Sequence, residues 1–414
     1  MHSNTGAELP IPAKGAQAAA PSRAERLFID LLRQHLRDAS LLIIDGGRRH
    51  AVGQSGAAEL VLRVHRPDFY ARVLLQGNLG MGESFMEGGF DVDDGRLADV
   101  LAVLLKARMD RKTGRHWRYA LRYGALLAGN LLAGKTRNVR RHYDVGEDLF
   151  DSFLHDRYQV YSCGYARNAD ADIDTLQHDK LDRICQKLEL APRQTLLDVG
   201  CGKGGLLIHA ARHYGVKGTG VTNSLAHWER ANALINHHGV GDRVKVLLQD
   251  YASVAGVFDR VVSVGMLEHL PRREYPRYFQ TLAKALRQNG RGLVHAIGCN
   301  TRVNRHDPFI QRYIFPGSDT PKLSAITRQL ENNHLAILDA ENLVRHYAVT
   351  VQRWLEAFRA HGPSLDAKRY DAAFKRMWEY YLCCGIAAAR AGEAALYQVL
   401  FTNDYHAPYR YQRV

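Results

Sequence analysis

Residues 196–205 read LLDVGCGKGG: an apolar run closed by an acid, then a turn crowded with glycine. The run has the length of a buried strand, and Leu206 to Tyr214 behind it has helical periodicity. Strand, glycine turn and helix in that order are how a doubly wound sheet builds a ligand site, since bare backbone can approach a bound molecule where a Cβ would collide. The same alternation recurs on both sides. TLLDV, KGTGV, RVKVLL, FDRVVSV and GRGLVHAI are short apolar runs, and the segments between them, such as Tyr275 to Leu286, are helical in period. ALYQVLF follows a long helix through Tyr370 to Arg390 as a further strand. The expected fold class is α/β: a doubly wound, mostly parallel sheet.

Three ligands call for such a turn, and the flanking residues choose among them. A phosphate loop needs Ser or Thr after Gly-Lys, but Gly204 follows Lys203. Gly200, Gly202 and Gly205 match the dinucleotide spacing, but that site also wants an acid about 20 residues on, where this chain has Thr222 and Asn223. S-adenosylmethionine (SAM) fits better. Gly200 and Gly202 admit its amino-acid part, Asp198 can orient its ammonium, and Asp250 with Gln249 beside it can meet the adenine amine. The alternative is a structural turn with a buried Asp cap.

The formal net charge of +13 points to an acidic partner. Eleven Lys and Arg lie between Lys106 and Arg141 with Asp110 as the one acid, interleaved with Trp117, Tyr119 and Tyr123. That pattern suits an anionic membrane surface; a solvated linker helix is the alternative, and no recognition motif for nucleic acid is present. No apolar run approaches the ~20 residues of a membrane span. The six cysteines lack C-x-x-C spacing, so neither zinc ligation nor a disulfide framework is expected, and reduced cytosolic thiols are the default. The expected organisation is a disordered tail over 1–23, a small N-terminal α+β domain that docks lipid over 24–105, a basic helical linker over 106–141, and a cofactor-binding domain over 142–414 with an insertion at 299–345.

The segment HYDVGEDLFDSFLHDRYQVYSCGY, then LLDVGCGKGG, LLQDY, VVSVGMLEHL, LVHAIG, DPFIQRYIFP and LYQVLF, resembles the cyclopropane-fatty-acyl-phospholipid synthase family in order and spacing over roughly 142–402, and GNLGMGESFMEGGF extends the match more weakly. The resemblance implies a SAM-dependent methyltransferase acting on lipids and a homodimer; with the basic segment and the thiols, the expectation is a cytoplasmic enzyme held peripherally at the inner face of a membrane. It implies that Tyr161 and Ser162 hold the cofactor's carboxylate end. It also implies a bicarbonate in the active site, with Cys163, Glu268, His295, Ile297 and Tyr347 as its shell. Two positions depart from the family pattern: Lys203 stands where Trp is common, and His227 where Gln is common; both are expected near the cofactor.

The implied chemistry explains the shell. An isolated cis alkene is a poor nucleophile, so only a sulfonium methyl will methylate it, leaving a carbocation on the acyl chain. A base must then take a proton from the added methyl to close the ring, in an apolar, dry pocket. Amides near Cys163 and Ile297, the Tyr347 hydroxyl and the His295 ring can donate to the anion, and Glu268 can accept its O–H. Structural readings stay open for each: a small buried thiol, a satisfied core histidine, a packing tyrosine, turn residues at 161 and 162. His269 and Cys201 are expected to be structural. Phe309, Ile310, Tyr313, Ile314 and Phe315 are expected to line the acyl pocket, or else to pack on the N-terminal domain or a second subunit. Methyl-branched lipid, an N-methylated small molecule and non-catalytic lipid binding are the competing outcomes.

Overall fold

Ser22 Oγ accepts from the Glu25 amide, and the Glu25 carboxylate accepts from the Ser22 amide. This reciprocal cap starts α1 (Arg23–His35), so Arg23 is helical rather than the end of the tail. In this computed structural model the described residues are 20–54, 59–109, 146–301, 307–406 and 408–410. Residues 1–19 of the expected tail, and 110–141 of the basic segment, lie outside them.

Glu25 also takes Arg48 at 2.8 Å and His50 at 2.9 Å, which ties α1 to a strand the sequence reading did not single out. The N-terminal sheet comprises β1 (Ser40–Asp45), β2 (Arg48–Gly53), β3 (Glu59–Val64) and β4 (Phe90–Val92), in the order β2-β1-β3-β4. Around it lie α2 (Phe69–Gln76), α3 (Asn78–Met86) and α4 (Leu97–Lys106).

The rest of the chain builds a seven-stranded sheet in the order β10-β11-β9-β8-β5-β6-β7. Its elements follow as α5 (Glu147–Asp151), α6 (Ile173–Lys187), β5 (Thr195–Val199), α7 (Gly205–Tyr214), β6 (Lys217–Thr222), α8 (Leu225–His237), β7 (Val244–Leu248), β8 (Phe258–Val264), α9 (Tyr275–Ala285), β9 (Leu286–Cys299), α10 (Leu323–Asn332), β10 (Ala336–Asn342), α11 (Val344–His361), α12 (Ala372–Arg390) and β11 (Ala394–Thr402). Strands β7, β6, β5, β8 and β9 are mutually parallel; β11 runs antiparallel between β9 and β10. Every strand expected from the apolar runs is present. Four of the five residues of β5 are buried, as a strand covered on both faces requires.

One expectation needs correcting. The stretch 299–345 is not a single insertion, because β10 within it is a strand of the sheet and α10 leads into that strand. Strand β10 reads AILDAEN and is half-exposed at the sheet edge, so it carries no apolar run. Its acids are held from α6 instead: Lys187 Nζ meets Glu341 at 2.6 Å and Asp339 at 3.3 Å, and Arg183 meets Glu341 at 2.8 Å.

The two sheets share a core. Phe28, Phe69 and Phe90 belong to the same apolar cluster as Trp354, Trp378 and Tyr380. Phe309 is fully buried at this junction: a Cβ on Gly82 of α3 would come within 2.3 Å of its ring, and Tyr380 stacks edge-on at 4.7 Å. Tyr313 donates to Glu83 at 3.0 Å. Phe309 and Tyr313 therefore pack on the N-terminal unit rather than lining an acyl pocket, which was the alternative reading of this segment. No helix among the described residues is long and apolar enough to cross a membrane.

Candidate active site

The direction of winding reverses at β5, with β6 on one side and β8 on the other. The loops leaving the carboxyl ends of these strands part there, and a cleft of about 1190 Å³, counted with its open mouth, lies between them. Asp198, Gly200 and Gly202 line it from β5, Thr222 and Asn223 from β6, His227 from α8, Gln249 from β7, and Gly265 and Met266 from β8. Tyr161 and Ser162 close it from the segment before α6. Gly200 has φ +80°, and a Cβ there would stand 2.8 Å from Met266 Cγ, so conformation and space both demand glycine.

Asp198 is buried, its Oδ1 has no hydrogen-bond partner, and burial pushes its acid up to about 7. A cationic ligand group would satisfy that oxygen and favour its ionised form, which is the fit a SAM ammonium offers. Asp250 does not line the cleft; its Oδ1 accepts from the Ala252 amide at 2.9 Å and caps a short turn. Gln249, the residue before it, does line the wall. Lys203 and His227, the two departures from the family pattern, meet here. Lys203 Nζ pairs with Glu147 at 2.5 Å, and burial together with its charge holds His227 down to about 4, so that ring is neutral. Cys201 and His269, expected to be structural, both face the cleft.

Lys180 also lines the wall, and the sequence reading missed it. Its ammonium is buried on α6 and donates to Ser162 Oγ at 2.9 Å; burial lowers its pKa to about 8, against the pull of Asp156, Cys163 and Asp198. Leu176, Gln177, Lys180, Leu181 and Ile184 form one buried stripe of α6, and a lysine at that phase was the available signal.

The five residues of the expected anion shell form a second layer. None lines the cleft directly. Glu268 lies in the turn after β8. Gly265, at φ +67°, separates it from the cleft: a Cβ there would stand 3.8 Å from Glu268 Oε1 and 3.9 Å from Ser162 Cβ. Oε1 accepts from the Ile297 amide at 3.2 Å, which ties the carboxylate to β9. Oε2 is buried without a partner, and burial pushes the acid up to about 7.

His295 faces Gln398 across β9 and β11, with its Nδ1 3.1 Å from the amide nitrogen. The other ring nitrogen, Nε2, is buried and unpartnered. Burial, with Lys180 and Lys187 nearby, holds the ring neutral. The Cys163 thiol donates to the Gly164 carbonyl at 3.1 Å, and burial pushes it up to about 12, so it is no nucleophile. Tyr347 feels both Cys163 and Glu268, and burial keeps its hydroxyl protonated as a donor. The layer thus presents one unpaired carboxylate oxygen, one unpaired imidazole nitrogen and a phenol.

A family model described as mycolic acid cyclopropane synthetase matches residues 132–399. The cyclopropane-fatty-acyl-phospholipid synthase of Escherichia coli is 37% identical over 357 residues, covering 86% of this chain and 91% of that protein. Tuberculostearic acid methyltransferase of Mycobacterium tuberculosis is 32% identical over 403 residues, covering 93% and 92%. Among solved structures, a mycolic acid cyclopropane synthase complexed with SAH and CTAB superposes with a TM-score of 0.60 at 28% identity, covering 64% of this chain and 97% of that one.

Proposed function

The chain belongs to the mycolic acid cyclopropane synthetase family and is a SAM-dependent methyltransferase, and from that premise we propose that it transfers a methylene from SAM to the cis double bond of an unsaturated phospholipid acyl chain. The observation that carries this reading is the pair of buried, unpartnered atoms, Glu268 Oε2 and His295 Nε2, in the layer behind the cofactor cleft. N-methylation does not call for such a layer, because an amine lone pair attacks the sulfonium without help. Ring closure does call for it, because a proton must leave the added methyl.

Glu268, His295 and Tyr347 would hold a bicarbonate, which when bound would supply the base. Glu268 would accept its O–H, and a carboxyl that burial keeps near half-protonation at neutral pH adds little repulsion. Phe150 and Tyr161, edge-on at 5.2 Å, face the cleft with π surfaces that favour a passing cation over water. Asp198 would orient the SAM ammonium, and Ser162, braced by Lys180, its carboxylate.

The basic segment 106–141 would dock the enzyme on anionic lipid, with its aromatic residues at the interface. A methyl-branched product is the second reading, favoured by the likeness to tuberculostearic acid methyltransferase over 93% of the chain. Mass spectrometry of lipids from cells expressing the protein tests both. A gain of one CH₂ per acyl chain is expected, and NMR of the product then distinguishes a ring from a branched chain. Unchanged acyl masses would overturn the proposal.

A further inference from the structure

Helices α6 and α7 meet beside the cleft, and their contact carries three histidines. His178 on α6 and His209 and His213 on α7 each offer one ring nitrogen, and these atoms lie within 4.8 Å of one another. His209 and His213 are four residues apart, the spacing that puts two imidazoles on one face of a helix. Their ring centroids are 4.5 Å apart, and His178 stands 5.2 Å from His209.

His209 is fully buried, and neither Nδ1 nor Nε2 has a hydrogen-bond partner. Two unpaired nitrogens in a closed site are costly unless something binds them. Burial and the neighbouring imidazoles push this ring down to about 3, so it is neutral, the form that ligates. His178 is half-buried and His213 exposed, which gives an ion a path from solvent. Asp182 supplies a negative charge, its Oδ1 3.8 Å from His209 Nε2, while Tyr214 and Gln186 donate to its oxygens at 2.5 and 2.6 Å. Of the cations nearby, Arg157 is paired with Asp174 at 2.5 Å, and Arg212 is exposed.

We propose that His178, His209 and His213 form a binding site for a divalent transition-metal ion of the zinc class, with Asp182 as the carboxylate beside it. Three imidazoles suit zinc, nickel or copper rather than magnesium or calcium, and leave a fourth position for water or Asp182. The ion would clamp α6, which carries Lys180, to α7, which begins at the glycine turn. The cysteine spacing held no hint of this, because the ligands come from two helices and include no thiol.

Untagged full-length chain, stripped by a chelator and titrated calorimetrically with zinc, should bind one ion per chain. Cobalt should give visible d–d absorption, and zinc should raise the thermal midpoint. His213→Ala and His178→Ala replace residues that are not fully buried, so both variants should fold. Each should weaken zinc binding by at least about tenfold and abolish the cobalt bands, with SAM affinity unchanged. Zinc binding to the wild type no tighter than to the double variant, or stoichiometric binding that survives both substitutions, would overturn the proposal.

Discussion

Lys180 Nζ donates to Ser162 Oγ across 2.9 Å, placing a buried ammonium in the wall between the cofactor cleft and the Glu268 layer. The same charge holds down the acid of Asp198, which burial otherwise raises. Lys180→Met removes both effects at similar volume. Ser162 loses its brace and Asp198 becomes harder to ionise. SAM affinity, measured by calorimetry, should fall by about tenfold or more at pH 7, the size expected when a hydrogen bond to a charged group is lost. The pH below which affinity declines should move upward. An unchanged pH profile would rule out the electrostatic part of this role.

Glu268 should separate chemistry from binding. It stands behind Gly265 and does not line the cleft, so Glu268→Ala should abolish product while SAM affinity stays within about twofold, a few tenths of a kcal/mol. Lipid analysis and calorimetry on the same preparation check this. A large loss of SAM binding would show the residue to be misassigned.

The same acid predicts a pH-dependent stability. Folding raises its pKa from 4.5 to about 7, so between those values the folded chain keeps a proton that the unfolded chain has released. Its stabilising contribution is complete below pH 4.5 and is lost as pH rises through about 7. Glu268→Gln cannot ionise. Wild-type stability relative to that variant should therefore fall by about 3 kcal/mol between pH 4 and pH 8, read from denaturant unfolding of both chains. A difference that stays flat with pH would contradict the buried placement of the carboxyl.

Gly82 tests the junction of the two sheets. A methyl there would come within 2.3 Å of the Phe309 ring and 2.9 Å of Tyr380. Gly82→Ala should destabilise the protein by about 1–3 kcal/mol through overpacking, seen as a lower thermal midpoint. Gly82→Ala with Phe309→Leu should recover part of the loss. No change in the single variant would mean that the junction is loosely packed.

Docking on lipid is an electrostatic prediction. If residues 106–141 bind an anionic surface, raising salt from 0.05 to about 0.5 M should strongly weaken sedimentation with phosphatidylglycerol vesicles. Replacing Arg111, Lys112, Arg115 and Arg118 with Gln should do the same at low salt. Binding indifferent to both would remove this segment from the docking surface.

The strand–helix alternation, the glycine turn and the choice of cofactor class were legible in the chain because each depends on local periodicity and on residues adjacent in sequence. The family motifs likewise pointed to Glu268, His295 and Tyr347. Other features follow from contacts between residues far apart. Strand β10 has no apolar pattern, since an edge strand needs only one partner, and cations on α6 hold its acids. Asp250 lies one residue beyond the cleft wall, and its side chain caps a turn. Phe309 sits against a glycine more than two hundred residues earlier. The placing of Lys180 against Ser162 and the meeting of His178 with His209 exist only once α6 has packed on the sheet and on α7, and the Ile297 amide meets Glu268 only once the turn after β8 lies against β9. Local pattern determines which elements form, because it sets what each segment must bury; which side chains share a buried space is decided only when those elements pack.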